Sequence, residues 1–290
     1  MNDKVKVRRR AGSTPGAYTP AVSTAALAPA STGRARVSLP LVLAVVAVGM
    51  QIAYPLLDGA ALRRLTVLTV VVFAAAGLAH AARTRGPAAA LLVLAVAGGT
   101  SLVAEAVGVA TGYPFGRYLY AGTLGPSLLG VPVLVPLAWT MMAYPLLLAA
   151  RTACASRPRA VVPAGALALV GWDLYLDAQM VDAGHWTWTY PDPHLPGLEG
   201  VPLTNYVGWA LVSTLLMAAL HRTLPAARDG VDAAATPALL VGWTWLGSAV
   251  ALAFFLDRPG AAGWGLLVMA PVTVPALRSW LGRGKAGARR

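Results

Sequence analysis

Long apolar runs decide what this chain can become. A helix needs about 20 largely apolar residues to cross the hydrocarbon core of a bilayer. Stretches of that kind fall at about Leu39–Leu57, Leu65–Ala82, Pro87–Val109, Val131–Ala150, Ala160–Val181, Val201–Leu220, Thr236–Leu256 and Gly263–Leu281. Backbone N–H and C=O groups in lipid must be satisfied within the protein, so such runs become helices. The sequence therefore predicts an all-α, polytopic transmembrane helix bundle of about eight spans. Only 12% of the residues are charged, against about a quarter in a soluble domain.

Loop charges predict the orientation. Lys and Arg concentrate on the cytoplasmic side of membrane proteins. With both termini cytoplasmic, only Arg63, Arg64, Arg117 and Arg258, of 23 Lys and Arg, fall outside. Residues 1–36 are basic and low in complexity, rich in Ala, Pro, Ser, Thr and Gly, and read as a disordered tail. A transmembrane domain over 37–281 and a basic cytoplasmic tail over 282–290 complete the organisation. The first apolar run is too long for a signal peptide and reads as an uncleaved helix.

The net charge of +12 raises the question of nucleic acid. The basic residues are spread over termini and short loops, without a basic domain or recognition motif, so no nucleic-acid partner is expected. The single Cys154 allows no disulfide within the chain and no cysteine-based metal site. The long outer connections, about 110–130 and 182–200, are rich in Gly, Pro and aromatic residues, so function is sought at that end.

Against this apolar background the acids stand out. Asp173 and Asp177, in Trp172-Asp173-Leu174-Tyr175-Leu176-Asp177, lie four apart and share one helix face. Ionisable groups are costly in a membrane and mark functional sites by default. Two neighbouring carboxyls in a poorly solvated site cannot both ionise cheaply, which pairs a proton donor with an acceptor. The alternative is a structural pair bonded to an Arg or to backbone. Glu105, alone in the third span near its outer end, either pairs with Arg117 or joins the acid cluster.

Other residues frame these acids. Arg117, one of few outer cations, is the natural counter-ion. Tyr118 and Tyr120 flank it as pocket residues or as interfacial anchors. Gly108, Gly112 and Gly116 precede them, and with Pro114 they suggest a helix end and a re-entrant turn. His185 is expected in the pocket. His185 and His194 with Asp182 and Asp192 match no compact ligand motif, so no metal is expected. Trp139 and Trp172 fall within spans, where an aromatic wall suits a carbocation. Packing is their ordinary role. The sequence carries no nucleotide fingerprint, no phosphate loop, no Ser-His-Asp order and no aspartate-rich diphosphate motif, so no cofactor is expected.

These residues also resemble a known family. Glu105-Ala106-Val107-Gly108-Val109, Thr111-Gly112-Tyr113-Pro114-Phe115-Gly116-Arg117-Tyr118-Leu119-Tyr120, Gly130-Val131-Pro132 and Pro136-Leu137-Ala138-Trp139 resemble the carotenoid biosynthesis membrane proteins of the CruF type, the carotenoid 1′,2′-hydratase or bisanhydrobacterioruberin hydratase family. So do Gly171-Trp172-Asp173-Leu174-Tyr175-Leu176-Asp177-Ala178-Gln179-Met180-Val181, Gly184-His185-Trp186-Thr187-Trp188 and Gly200-Val201-Pro202-Leu203-Thr204-Asn205-Tyr206 with Gly208-Trp209. The likeness covers roughly 40–280 and is densest over 100–215.

The resemblance implies a cofactor-independent hydratase that adds water to the terminal C1′–C2′ double bond of an acyclic carotenoid, the fifty-carbon bacterioruberin type in particular. It implies a lipid-soluble substrate, the bilayer as environment, and other carotenoid pathway enzymes as candidate partners. Asp173 or Asp177 would protonate the alkene, with Glu105 the alternative acid. Arg117 would orient a carboxylate, and a carboxylate or Asn205 would position water. A carrier for protons or lipid, or a non-catalytic carotenoid scaffold, are the competing classes.

Overall fold

A computed structural model describes residues 38–228 and 233–287, with side chains up to Gly282. The segment 1–36, expected to be disordered, lies outside the described residues, as do the side chains of 283–290.

Eight helical spans follow in order. The first is α1 (Leu39–Ala53), opened by Pro40 and closed by a 3-10 turn over Tyr54–Leu56. Pro suits a first helical turn because its missing N–H is not needed there. The second is α2 (Gly59–Arg85). The third consists of α3 (Pro87–Val93), a π-helical stretch Leu94–Gly98, and α4 (Gly99–Thr111). The remainder are α5 (Leu134–Ala153), α6 (Val161–Asp182), α7 (Leu203–Thr223), α8 (Ala235–Phe254) and α9 (Pro259–Gly287). All eight are long and apolar enough to cross a membrane.

Most boundaries fall within a few residues of expectation, and the exceptions have causes. The second span starts at Gly59, not near Leu65, so it takes in Arg63 and Arg64. Long Arg side chains let a helix run past the hydrocarbon while the charged head stays wet. The fourth span starts at Leu134, because Val131–Pro132 (β3) turns back to pair with Ser127–Leu128 (β2). The sixth starts at Leu203, because the extended Pro202 precedes it.

The bundle is built around α5. Of its span 83% is buried, against 17% for the first span. It packs against α2, α6, α7, α8 and α9. Its Pro145 sits in the helix interior. The buried core runs through Phe73, Trp139, Met142, Tyr144, Leu146, Leu169, Tyr175 and Leu216.

Successive spans alternate in direction, so the connections gather at two ends. At one end lie 112–133 and 183–202, tied together by an antiparallel ribbon of Tyr118–Tyr120 (β1) and Trp186–Trp188 (β4). Arg258 bonds Asp182 there, and the Trp264 indole bonds the Pro196 carbonyl at 3.0 Å. At the other end Arg85 reaches the Pro225 carbonyl and Arg151 the Leu224 carbonyl.

Candidate active site

The ribbon end holds the buried acids. Asp173 and Asp177 lie one turn apart on α6, and Glu105 lies on α4; all three are at most 5% exposed. They line one cavity together with Asn205 from the first turn of α7. Glu105 therefore joins the acid cluster, the second of its two expected fates.

Each acid is answered by neutral donors. The Asn205 amide donates to Asp177 Oδ2 at 2.5 Å and makes a longer contact to Asp173 Oδ2 at 3.4 Å. The Trp186 indole N–H donates to Asp177 Oδ1 at 3.1 Å. Glu105 Oε2 accepts from the Tyr118 hydroxyl at 2.5 Å and the Tyr120 hydroxyl at 2.7 Å. Burial first, and then the Glu105 charge, pushes both phenols far above the ordinary tyrosine range, so they remain O–H donors. Among the described residues no Lys or Arg forms an ion pair with the three acids.

Local structure explains why these groups meet. α4 ends at Gly112, whose φ of 79° is the left-handed cap that glycine takes at no steric cost. The chain then doubles back and drives Phe115 between α4 and α7. A Cβ at Gly108 or Gly208 would lie 2.7 Å from the Phe115 ring, so the wedge needs glycine at both. The turn delivers β1 to β4 in the register Tyr118↔Trp188, Leu119↔Thr187, Tyr120↔Trp186. Side chains alternate faces along a strand, so both tyrosines and both tryptophans face the cavity, while Leu119 is 69% exposed.

The opposite wall is aromatic. Trp139 of α5 stacks on Trp209 of α7 with ring centroids 3.6 Å apart and planes 19° from parallel, and Phe115 stacks on Trp209 at 4.5 Å. The free space is about 20 Å³, by a measure in which one water needs about 10–15 Å³. The cavity therefore admits about one water. Three carboxyls here cannot all carry charge at once.

Three expected site residues lie elsewhere. Arg117 is exposed and makes no ion pair among the described residues. It fails as the counter-ion because strand alternation turns it outward beside the inward Tyr118. His185 is buried against Thr123, with Nδ1 2.7 Å from the hydroxyl, and does not line the cavity. Burial, then Arg63, lowers its affinity for a proton. Trp172 stands behind Trp139, edge-on at 5.2 Å, and lines the neighbouring cavity instead.

Conversely, Phe115, Val135, Leu176, Trp186, Trp188 and Trp209 line the acid cavity without having been singled out as site residues. For Trp186 and Trp188 a signal existed. Tyr-Leu-Tyr and Trp-Thr-Trp share the period-two alternation of paired strands. Among the described residues, no group of three or more His, Cys, Asp or Glu could hold a metal ion.

Comparison with known proteins adds to this picture. A bisanhydrobacterioruberin hydratase of Haloarcula japonica is 37% identical over 113 residues, which are 37% of this chain and 36% of that relative. The match thus spans about a third of that protein's length. No solved structure matches the chain. The profile of the carotenoid biosynthesis protein family matches residues 64–272. With well over half of its length matched and eight helices fit to span a bilayer, the chain belongs to the carotenoid biosynthesis protein family and is a multi-pass integral membrane protein.

Proposed function

We propose that this protein is a carotenoid hydratase that adds water across the terminal double bond of an acyclic carotenoid of the bacterioruberin type. The observation that carries the reading is three buried acids, held by neutral donors, around an aromatic-walled space for one water. The similarity to a relative named a bisanhydrobacterioruberin hydratase supports the same reaction and substrate class. Hydration changes no oxidation state, and the proposed reaction draws on no cofactor.

Asp177 accepts a hydrogen bond on each carboxyl oxygen from Trp186 and Asn205, whereas Asp173 has the long Asn205 contact and a hydrogen bond with Asp177 itself. Donors favour the charged form of the carboxyl they bind. Asp173 is therefore the acid and Asp177 the base. Asp173 gives its proton to the less substituted alkene carbon, leaving a cation on the tertiary carbon. The Trp139 and Trp209 faces stabilise that cation, with the Asp177 carboxylate close by. Water held at Asn205 and Asp177 bonds through oxygen to the tertiary carbon and passes a proton to Asp177. Transfer from Asp177 to Asp173 restores the starting state. Glu105, clamped by two phenols, sets the charge of the cavity and is the alternative acid.

Charge bias assigns the acid end to the outer face and both termini to the cytoplasm. The opposite end carries Arg83, Arg85, Arg151, Arg157, Arg159, Arg222 and Arg228. Other enzymes of the pathway are the neighbours this reading expects in the membrane.

The test is expression in a host that accumulates acyclic carotenoids, including a fifty-carbon precursor, with chromatography and mass spectrometry of the pigments. A gain of one or two waters with an unchanged chromophore is expected. No new pigment, with protein in the membrane and precursor present, overturns the hydratase and favours a carrier or scaffold. Conversion by purified protein in detergent separates the enzyme from both.

A further inference from the structure

The acid cavity admits about one water, yet its proposed substrate is a long hydrocarbon, so the bulk of that chain must lie elsewhere. Two further spaces adjoin the site in series. An inner cavity of about 100 Å³ lies between α1, α2, α5, α6 and α8, and shares Leu176 with the acid cavity. Beyond it a groove of about 910 Å³ runs along α8, from Ala235 to Phe255, with walls from α1 and α9. At 1.5 Å per residue, that run is about 30 Å, the depth of the hydrocarbon core. Inner cavity and groove share Gln51, Trp243, Gly247 and Ala251. A Cβ at Gly247 would come within 2.7 Å of the Trp243 indole, so the ring lies over the glycine as a partition.

We propose that the seam between α1 and α8 is the route from lipid to the acid site, and that the groove along α8 seats the extended polyene of a linear isoprenoid. This rests on the hydratase reading above. Among the described residues the groove walls contain no charged side chain, and Leu246, Val250, Phe255 and Leu281 present exposed apolar surface along them. A phospholipid keeps its headgroup at one interface, so its acyl chain covers only about half of this depth, whereas one extended polyene fills the whole run. The inner cavity differs. Gln51 Oε1 and Thr69 Oγ1 are buried with no hydrogen-bond partner among the described residues. These atoms need water, and a chain end seated against the apolar part of the wall leaves that water in place on them. Leu176 lines both cavities and is the side chain that must turn aside to bring the seated chain end to Asp173 and Asp177.

Ala251 lines both spaces, so it is the place to test the route in the folded protein. In full-length protein with Cys154→Ser, the Ala251→Cys variant is purified and treated with benzyl methanethiosulfonate. Leu215→Cys, on the exposed face of α7, is the control. An acyclic carotenoid at ten times its Kd should slow modification of the Ala251→Cys protein about tenfold and leave the control unchanged. Modification should stop carotenoid turnover by the Ala251→Cys protein only, and dithiothreitol should restore it. Full turnover after complete modification, or no protection by carotenoid, overturns the route. A thiol already shielded without carotenoid means that lipid or a second copy fills the groove, which also overturns it. Should the unmodified enzyme add no water, the hydratase reading fails, and carotenoid protection of the thiol still decides the groove.

Discussion

The two ends of the bundle bury charge in opposite ways. At the acid end Glu105, Asp173 and Asp177 are met by Tyr118, Tyr120, Trp186 and Asn205, all neutral donors. At the other end Arg85 bonds the Tyr144 hydroxyl at 2.8 Å, Thr84 and the Pro225 carbonyl. Arg151 there bonds the His221 ring and carbonyl and the Leu224 carbonyl. These partners are neutral acceptors. Arg keeps its proton under all ordinary conditions, so the arginine end is a permanent clasp between helices. A carboxyl facing only neutral donors can exist with or without its proton. A Lys or Arg beside Asp173 would lock the charged form; among the described residues none pairs with it, as the proposed proton exchange requires.

The sharpest way to break this contrast is to remove a carboxyl. Asp173→Asn and Asp177→Asn should each lower hydration by about a thousandfold or more, the scale of general acid–base catalysis, with the protein still in the membrane. Pigment analysis checks this, and normal turnover in both variants would end the mechanism. Next come the donors. Trp186→Phe or Asn205→Ala removes a hydrogen bond to a charged group, worth about 1.5–3 kcal/mol. Turnover should then fall roughly ten- to hundredfold, while Tyr118→Phe, whose hydroxyl bonds Glu105 and neither aspartate, separates the roles of the acids.

At the arginine end the readout changes. Arg85→Met should cost about 1 kcal/mol of stability by removing its bonds to Tyr144, Thr84 and the Pro225 carbonyl, with Tyr144 still held by His80, seen as a lower Tm in detergent, with kcat unaltered. A loss of kcat at normal Tm would show that the two ends are coupled. The smallest effect belongs to Arg117→Ala. This exposed residue should move stability by less than about 0.5 kcal/mol and leave turnover intact. A large loss of turnover would restore Arg117 to the site.

What was legible in the sequence follows the reach of each signal. The spans are local, since an apolar run of sufficient length can be read within its own window. The Asp173–Asp177 pair is local too, because helical spacing of four is enough to put both on one face. The Glu105 partners were misjudged because charge pairing suggested Arg117, while the real donors sit one and three residues further on. That choice depends on strand alternation, which in Tyr-Leu-Tyr and Trp-Thr-Trp becomes a signal only when the two distant segments are read together. His185 was expected in the pocket for its chemistry, but its backbone bond to Met180 and ring contact with Thr123 hold it to the side. The aromatic wall joins Trp139 and Trp209 from helices with no contiguity in sequence, and no single segment contains that information.

The β1–β4 ribbon carries a consequence for how such chains can change in length. Its register puts residues 118, 120, 186 and 188 over the acids and leaves 119 and 187 outward. One residue inserted between Gly112 and Tyr118, or between Asp182 and Trp186, would turn Leu119 or Thr187 inward and every aromatic partner out. Insertions and deletions in these two short approaches should therefore survive only in steps of two or as matched pairs. Past the ribbon, within 121–126 and 189–200, length is not bound to this two-residue step. The two connections are thus inherited as one part, though 68 positions separate Tyr118 from Trp186.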